Sequence, residues 1–169
     1  MKIIFTKSKL PLSVFIRWGL KEPVSHVALV FDEKIVFHSN LTGVHVEWYH
    51  SFKKHCTIVY EIEVPLTLEQ EEEVYRSVID VCIGKSYDFK AFGYFIWRAL
   101  LWRCLNKPMP AKNKWQGNKS YICTGFVGKL PHSLLPALDR IQDTEMVSPY
   151  KLFSALSEVI TPTSDNIEP

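Results

Sequence analysis

The chain has 169 residues, which suits one domain with a sizeable core and is short for two. Hydrophobic residues make up 47% of it and aromatics 13%, which excludes an extensively disordered chain. The 20 Lys and Arg nearly balance the 18 Asp and Glu, and a net charge of +2 gives no general case for nucleic-acid binding, so no nucleic-acid partner is expected.

The first residues, Met1 to Lys7, carry charges too early for a secretory signal, and no apolar run approaches the ~18 residues of a membrane span. The expectation is a chain that is cytoplasmic on synthesis, with a virus particle or non-classical export as the other routes. Residues 3–5 form a short β-type run. Residues 10–20 have apolar positions at 12, 15, 16 and 20, the spacing of a helix closed by Gly19 and Pro23. Residues 24–31 are strongly β-prone, Asp32-Glu33-Lys34 reads as a turn, and residues 35–38 as the returning strand. After Thr42-Gly43, residues 44–48 alternate as a half-exposed strand does. A basic loop containing histidines follows, and then residues 57–64 give the clearest strand.

Pro65 ends that strand. Thr67, with Glu69, Gln70 and Glu71 after it, starts a helix that runs to about residue 83, where Gly84 stops it. Residues 85–88 read as a loop, and 89–105 as an unusually aromatic helix. Residues 107–119, with two prolines, a glycine and four lysines, read as a surface loop. A helix over 123–130 follows, and Ser148-Pro149 opens a last one over 150–157. Residues 161–169 read as a disordered tail, leaving 1–160 as a single domain. The order predicts an α+β fold with an antiparallel sheet covered by helices.

The four cysteines form no Cys-x-x-Cys zinc pattern, and a chain of this size needs no disulfide framework. Cys56, Cys82 and Cys104 read as ordinary thiols that pack like small hydrophobes. Cys123 differs in its setting, Tyr121-Ile122-Cys123-Thr124-Gly125-Phe126-Val127. A thiol in the first turn of a helix meets unpaired N–H groups and the helix dipole, and both favour thiolate. A lone histidine in an apolar strand is more often structural than catalytic. Here His26 and His38 lie on two strands that reverse near Asp32, opposite or nearly opposite each other. Cross-strand neighbours have Cβ atoms about 5 Å apart, so one imidazole can orient the other. A thiol nucleophile needs such a base, held by a further polar group. His50, His55 and Cys56 are spaced irregularly with no convergent carboxylates, so no metal is expected, and no motif calls for a cofactor. His45 belongs to a solvated segment and His132 to the surface.

Ser25-His26-Val27-Ala28-Leu29-Val30-Phe31, with His38 beyond it, resembles the histidine hairpin of the NlpC-type cysteine peptidase and amidase superfamily. Because the hairpin precedes the cysteine, the order resembles the circularly permuted papain-like branch, which includes the lecithin:retinol acyltransferase-like proteins. Ile83-Gly84-Lys85-Ser86-Tyr87-Asp88-Phe89 resembles a Gly-x-x-Tyr-Asp segment of that branch. The Cys123 segment resembles its nucleophile helix, and Val147-Ser148-Pro149-Tyr150-Lys151-Leu152 its closing turn and helix. The resemblance spans residues 3–156. Ala28 stands where that family has glycine, and Gly125 where an acidic residue is common.

The resemblance implies Cys123 as nucleophile, His26 as general base and His38 as the residue orienting it. The reaction class is then acyl transfer through an acyl-enzyme. The Cys123 backbone N–H is one oxyanion donor, and Tyr121, Tyr87 and Thr124 are side-chain candidates for oxyanion or substrate contact. A peptide, amide or acyl-ester substrate is expected. Amides of cell-wall peptidoglycan are the commonest in the family, and an acyltransferase or thioesterase on lipid esters is the alternative. A third reading is a non-enzymatic structural or virion component. The aromatic stretch from Tyr87 to Trp102 reads either as core or as a contact with a membrane or protein, with Arg98 and Arg103 at its polar edge. The lysines of 107–119 and Lys53-Lys54 read as a solubilising face.

Overall fold

The structure, a computed structural model, describes residues 1–82, 84–115, 120–133, 135–141 and 144–160, and of these the side chains of 81, 82, 120, 121, 137 and 145 stand outside the description. Among the described residues seven strands and six helices follow in order: β1 (Lys2–Lys7), α1 (Pro11–Leu20), β2 (His26–Phe31), β3 (Ile35–Asn40), β4 (Gly43–Trp48), α2 (Tyr49–His55), β5 (Thr57–Glu63), α3 (Leu68–Cys82), β6 (Ser86–Tyr87), α4 (Phe89–Leu105), β7 (Ser120–Tyr121), α5 (Cys123–Val127) and α6 (Pro149–Ile160). Two 3₁₀ turns, Pro136–Arg140 and Thr144–Met146, lie between α5 and α6. The α+β class holds. Five antiparallel strands form one sheet in the order β4-β3-β2-β1-β5, and β6 and β7 make a separate parallel pair.

The central strands β1, β2 and β3 are buried on both faces, which is why β2 reads as a nearly unbroken apolar run rather than an alternating one. Strand periodicity sends Ile3, Phe5, Val27, Leu29, Phe31 and Phe37 to the main core. There they meet Val74 and Val78 of α3, Phe126 and Val127 of α5, and Leu152 and Leu156 of α6. The opposite face carries Ile4, Ala28, Val30 and Val36, covered by Phe52 of α2. A third cluster joins Ile16 and Leu20 of α1 to Tyr94, Phe95 and Ala99 of α4.

Three helix starts follow from side-chain chemistry. Thr67 Oγ1 accepts from the Gln70 N–H at 3.3 Å while Gln70 Oε1 accepts from the Thr67 N–H at 2.9 Å, a reciprocal box that begins α3. Asp88 Oδ1 accepts from the Ala91 N–H at 2.8 Å and caps α4. Ser148 accepts from the Lys151 N–H ahead of Pro149, which stands at the first position of α6.

Residues 85–88, read as a loop, contain the two-residue strand β6, and four expectations about helices also need correction. Residues 49–55 are a helix, not a loop, because Phe52 anchors one face while Lys53, Lys54 and His55 suit the negative end of the dipole. Phe15 of α1 faces solvent, and the buried side of that helix is Ser13, Ile16, Gly19 and Leu20. The cysteine helix is regular only to Val127 and then tightens: the Lys129 and Leu130 N–H groups bond three residues back, to Phe126 and Val127. The last helix runs three residues past its expected end, to Ile160, because Leu152 and Leu156 seat it on the core. The expected tail, 161–169, and the middle of the 107–119 loop fall outside the described residues.

Candidate active site

One cavity of about 360 Å³ opens where β1 ends, β2 begins and β3 ends, with α1, α2, α4 and α5 around it. His26, His38, Cys123, Thr124 and Tyr87 all line it, so five of the six residues singled out from sequence come together. The sixth, Tyr121, precedes Cys123 by two residues, and β7 pairs its backbone with Tyr87; its side chain lies outside the described part.

Each of these residues is positioned by its neighbours. β7, paired with β6, leads the chain into α5, where Cys123 is the first helical residue and Ile122 the cap. Phe126 and Val127 are fully buried and fix the helix against β2 and β3. Gly128 permits a close approach there, since a Cβ on it would collide with the Thr144 side chain. Gly43 does the same beside β6: its φ is +116°, and a Cβ would press on the Lys85 carbonyl.

The histidines meet diagonally. The register sets Ala28, not His26, opposite His38, because the turn is centred on residue 33 rather than 32. His26 and His38 therefore share a face two positions out of step, within reach of long side chains. His26 Nε2 lies 3.2 Å from His38 Nδ1, with the rings edge to face. His45, directly opposite His38, packs its ring at 4.6 Å and has Nε2 3.0 Å from Asn40 Nδ2. Phe52 closes over both His26 and His38.

A residue that the sequence reading passed over stands next in line. Glu47 Oε1 is 3.0 Å from His38 Nε2, close enough for an ion pair but outside hydrogen-bond angles. The alternation of 44–48 carries the signal: His45 faces His38, and Glu47 is two residues further on the same face. The chain of polar atoms thus runs Glu47, His38, His26.

Burial sets the protonation of this group. It pushes the His26 pKa down to about 4, and a charge on His45 would lower it further. Burial also holds His38 well below the usual imidazole range, with His26 and His45 acting in the same direction. Both rings are therefore neutral at pH 7, each a donor at one nitrogen and an acceptor at the other.

Cys56 also lines the cavity, which the sequence did not signal. Its thiol donates to the Phe52 carbonyl at 3.2 Å, and burial pushes its pKa up to about 11. Such a thiol is a packing group at neutral pH. The remaining lining is largely apolar, with Leu12, Ile16, Phe52, Phe92, Phe95 and Ile122. Among the described residues no group of three or more His, Cys, Asp or Glu is placed to hold a metal ion, and no helix is long and apolar enough to cross a membrane. No protein-family model, curated protein or solved structure matches the chain.

Proposed function

We propose that the chain is a cysteine-dependent acyl hydrolase of permuted papain-like fold, with Cys123 as nucleophile, His26 as general base and His38 as the residue that orients it. The observation that carries the proposal is the 3.2 Å contact between His26 Nε2 and His38 Nδ1 in a cavity that Cys123 also lines. The element order supports the fold: a histidine hairpin ahead of a cysteine at a helix start, across one antiparallel sheet.

In this reading the polar chain fixes the tautomers. The negative carboxylate of Glu47, 3.0 Å from His38 Nε2, favours hydrogen on that nitrogen through its charge. His38 Nδ1 then accepts from His26 Nε2–H, which leaves the lone pair of His26 Nδ1 to take the thiol proton. The thiolate adds to an acyl carbon, and N–H groups of the first turn of α5 stabilise the developing oxyanion. His26 passes its proton to the leaving group. It then takes a proton from water, which releases the acid and restores the thiol. Because His26 is neutral at pH 7, the thiol loses its proton during attack rather than beforehand.

Amidase or peptidase action is one use of this chemistry. The apolar wall formed by Leu12, Ile16, Phe92 and Phe95 favours a second: hydrolysis or transfer of an apolar acyl group from an ester or thioester. A polar cell-wall peptide would leave donors and acceptors facing those side chains unpaired. Mass spectrometry separates the readings. The wild-type chain is incubated with a long-chain acyl thioester and, separately, with a peptidoglycan fragment. An acyl adduct on Cys123 with the thioester supports the second reading, and cleavage of the fragment supports the first. If neither reaction occurs, and Cys123 reacts with iodoacetamide no faster than Cys104, the chain is a structural protein rather than an enzyme.

A further inference from the structure

The near-neutral charge of the chain conceals a segregation. Residues 1–21 contain five Lys or Arg and no acid, and residues 89–138 contain eight and no acid. The rest of the chain holds all 18 acids and only seven bases. α1 and α4 therefore come from the basic segments, and they pack on each other.

The outward side of α1 is anomalous for a helix on the surface. Its inner side is already apolar, through Leu12, Ile16 and Leu20. Its outer side should then be polar. Instead the residues that face solvent are Pro11, Val14, Phe15 and Trp18, at the i, i+3, i+4, i+7 spacing of a single stripe. Val14 is 47% exposed, Phe15 39% and Trp18 53%. The two rings lie 6.0 Å apart, and the Arg103 guanidinium of α4 sits over Trp18 at 5.7 Å. Leu10, 67% exposed, and Leu41, 48% exposed, continue the apolar surface to the rim of the cavity, which both also line. Around the stripe stand Lys7, Lys9, Arg17 and Lys21, none with an ion-pair partner among the described residues. The nearest acid in sequence, Glu22, has its carboxylate engaged, accepting from the Ser148 hydroxyl at 2.6 Å.

We propose that this face of α1, with Leu10 and Leu41, docks on an anionic phospholipid surface. An apolar stripe with aromatic rings and a basic border is what inserts into the interface of a bilayer: the rings bury at headgroup depth, and the cations meet phosphate. Charge complementarity selects an anionic membrane over a neutral one. Docking would bring the cavity rim against the bilayer. The inference is independent of the reactivity of Cys123.

Flotation of the full chain with unilamellar vesicles tests it. Vesicles of phosphatidylcholine mixed with phosphatidylglycerol are compared with pure phosphatidylcholine. The wild-type chain is expected to float with the mixed vesicles and to be released as salt rises. Phe15→Ser with Trp18→Ser alters only exposed side chains. It is expected to keep the circular dichroism of the parent and to lose at least tenfold in vesicle affinity. Lys9→Gln with Lys21→Gln is expected to lose about fivefold per lysine on mixed vesicles and nothing on neutral ones. Absence of flotation with mixed vesicles, or flotation that neither variant weakens, overturns the proposal. A dimer in light scattering that depends on Phe15 and Trp18, without vesicle binding, overturns it by assigning the face to a second copy.

Discussion

Two thiols share the cavity wall, and their surroundings set them apart. Cys123 opens a helix, while the half-buried Cys56 is hydrogen-bonded to the Phe52 carbonyl, its pKa raised to about 11. Iodoacetamide at pH 7.5, read by peptide mass, should label Cys123 well before Cys56. Cys123→Ala should lower turnover by roughly three orders of magnitude or more and leave the fold intact. Glu47→Gln keeps the shape of the side chain and removes its charge. It should lower kcat roughly tenfold with little change in KM, less than the ~10²–10⁴ expected for loss of a general base. Steady-state kinetics on Glu47→Gln beside His26→Gln checks this, and an equal loss for the two would remove the distinction between base and positioning residue. The base must be neutral to act, and His26 stays neutral down to about pH 4. The acid limb of kcat/KM should therefore fall near pH 4 instead of near 6.5. The proximity of His26 and His38 was legible in the sequence because hairpin geometry constrains it, and Cys123 because its segment reads as a helix start. The diagonal offset was not, since a shift of one residue in the turn moves every pair. Glu47 was missed because it reaches His38 only through the register of β3 with β4, which sets it diagonal to that residue.

At the level of elements, strands and capped helices were readable wherever local chemistry decides them. The Thr67–Gln70 box and the Asp88 cap are examples, and so is the apolar run of β2. α2 was not readable. Its seven residues contain one large buried side chain, Phe52, so no period could form, and the helix exists through tertiary contact with Ile4, Ala28, Val30 and Val36. Phe52→Ala should then cost about 3–5 kcal/mol in urea unfolding, and should loosen the histidine pair that the ring covers. Asp88→Ala should cost only about 1 kcal/mol, because the cap of α4 is lost and its packing kept. The aromatic helix divides the two expectations made for it. Tyr94 and Phe95 are core, while Trp97 is exposed and stacks on Trp115 at 6.2 Å.

The whole molecule carries a pH dependence set by its buried imidazoles. An unfolded chain takes up protons on His26 and His38 as pH falls through about 6.5, whereas in the fold burial delays His26 to about 4 and lowers His38 as well. Between those values the unfolded state binds more protons, so stability falls as pH drops from 6.5 towards 4. Thermal unfolding by circular dichroism should show Tm falling across that window. A His26→Gln variant should show a shallower fall, and an unchanged slope would mean that His26 is not the group responsible. The charge segregation could be read from the sequence alone. Its coincidence with an apolar stripe could not, because the stripe appears only once α4 has claimed the other side of α1.

The position of β1 between β2 and β5 has a consequence for how the chain is made. Residues 1–48 can pair β1 to β4 as they leave the ribosome, through the α1 crossover and two tight turns. One edge of β1, carrying Ile3, Ile4 and Phe5, then stays open until residues 57–63 arrive to pair with it. An unpaired apolar edge is a template for other chains. Nascent or truncated chains that end before residue 57 are therefore the species most prone to aggregate. Cys123 emerges only after that edge has been sealed, so the thiol joins a sheet that is already complete.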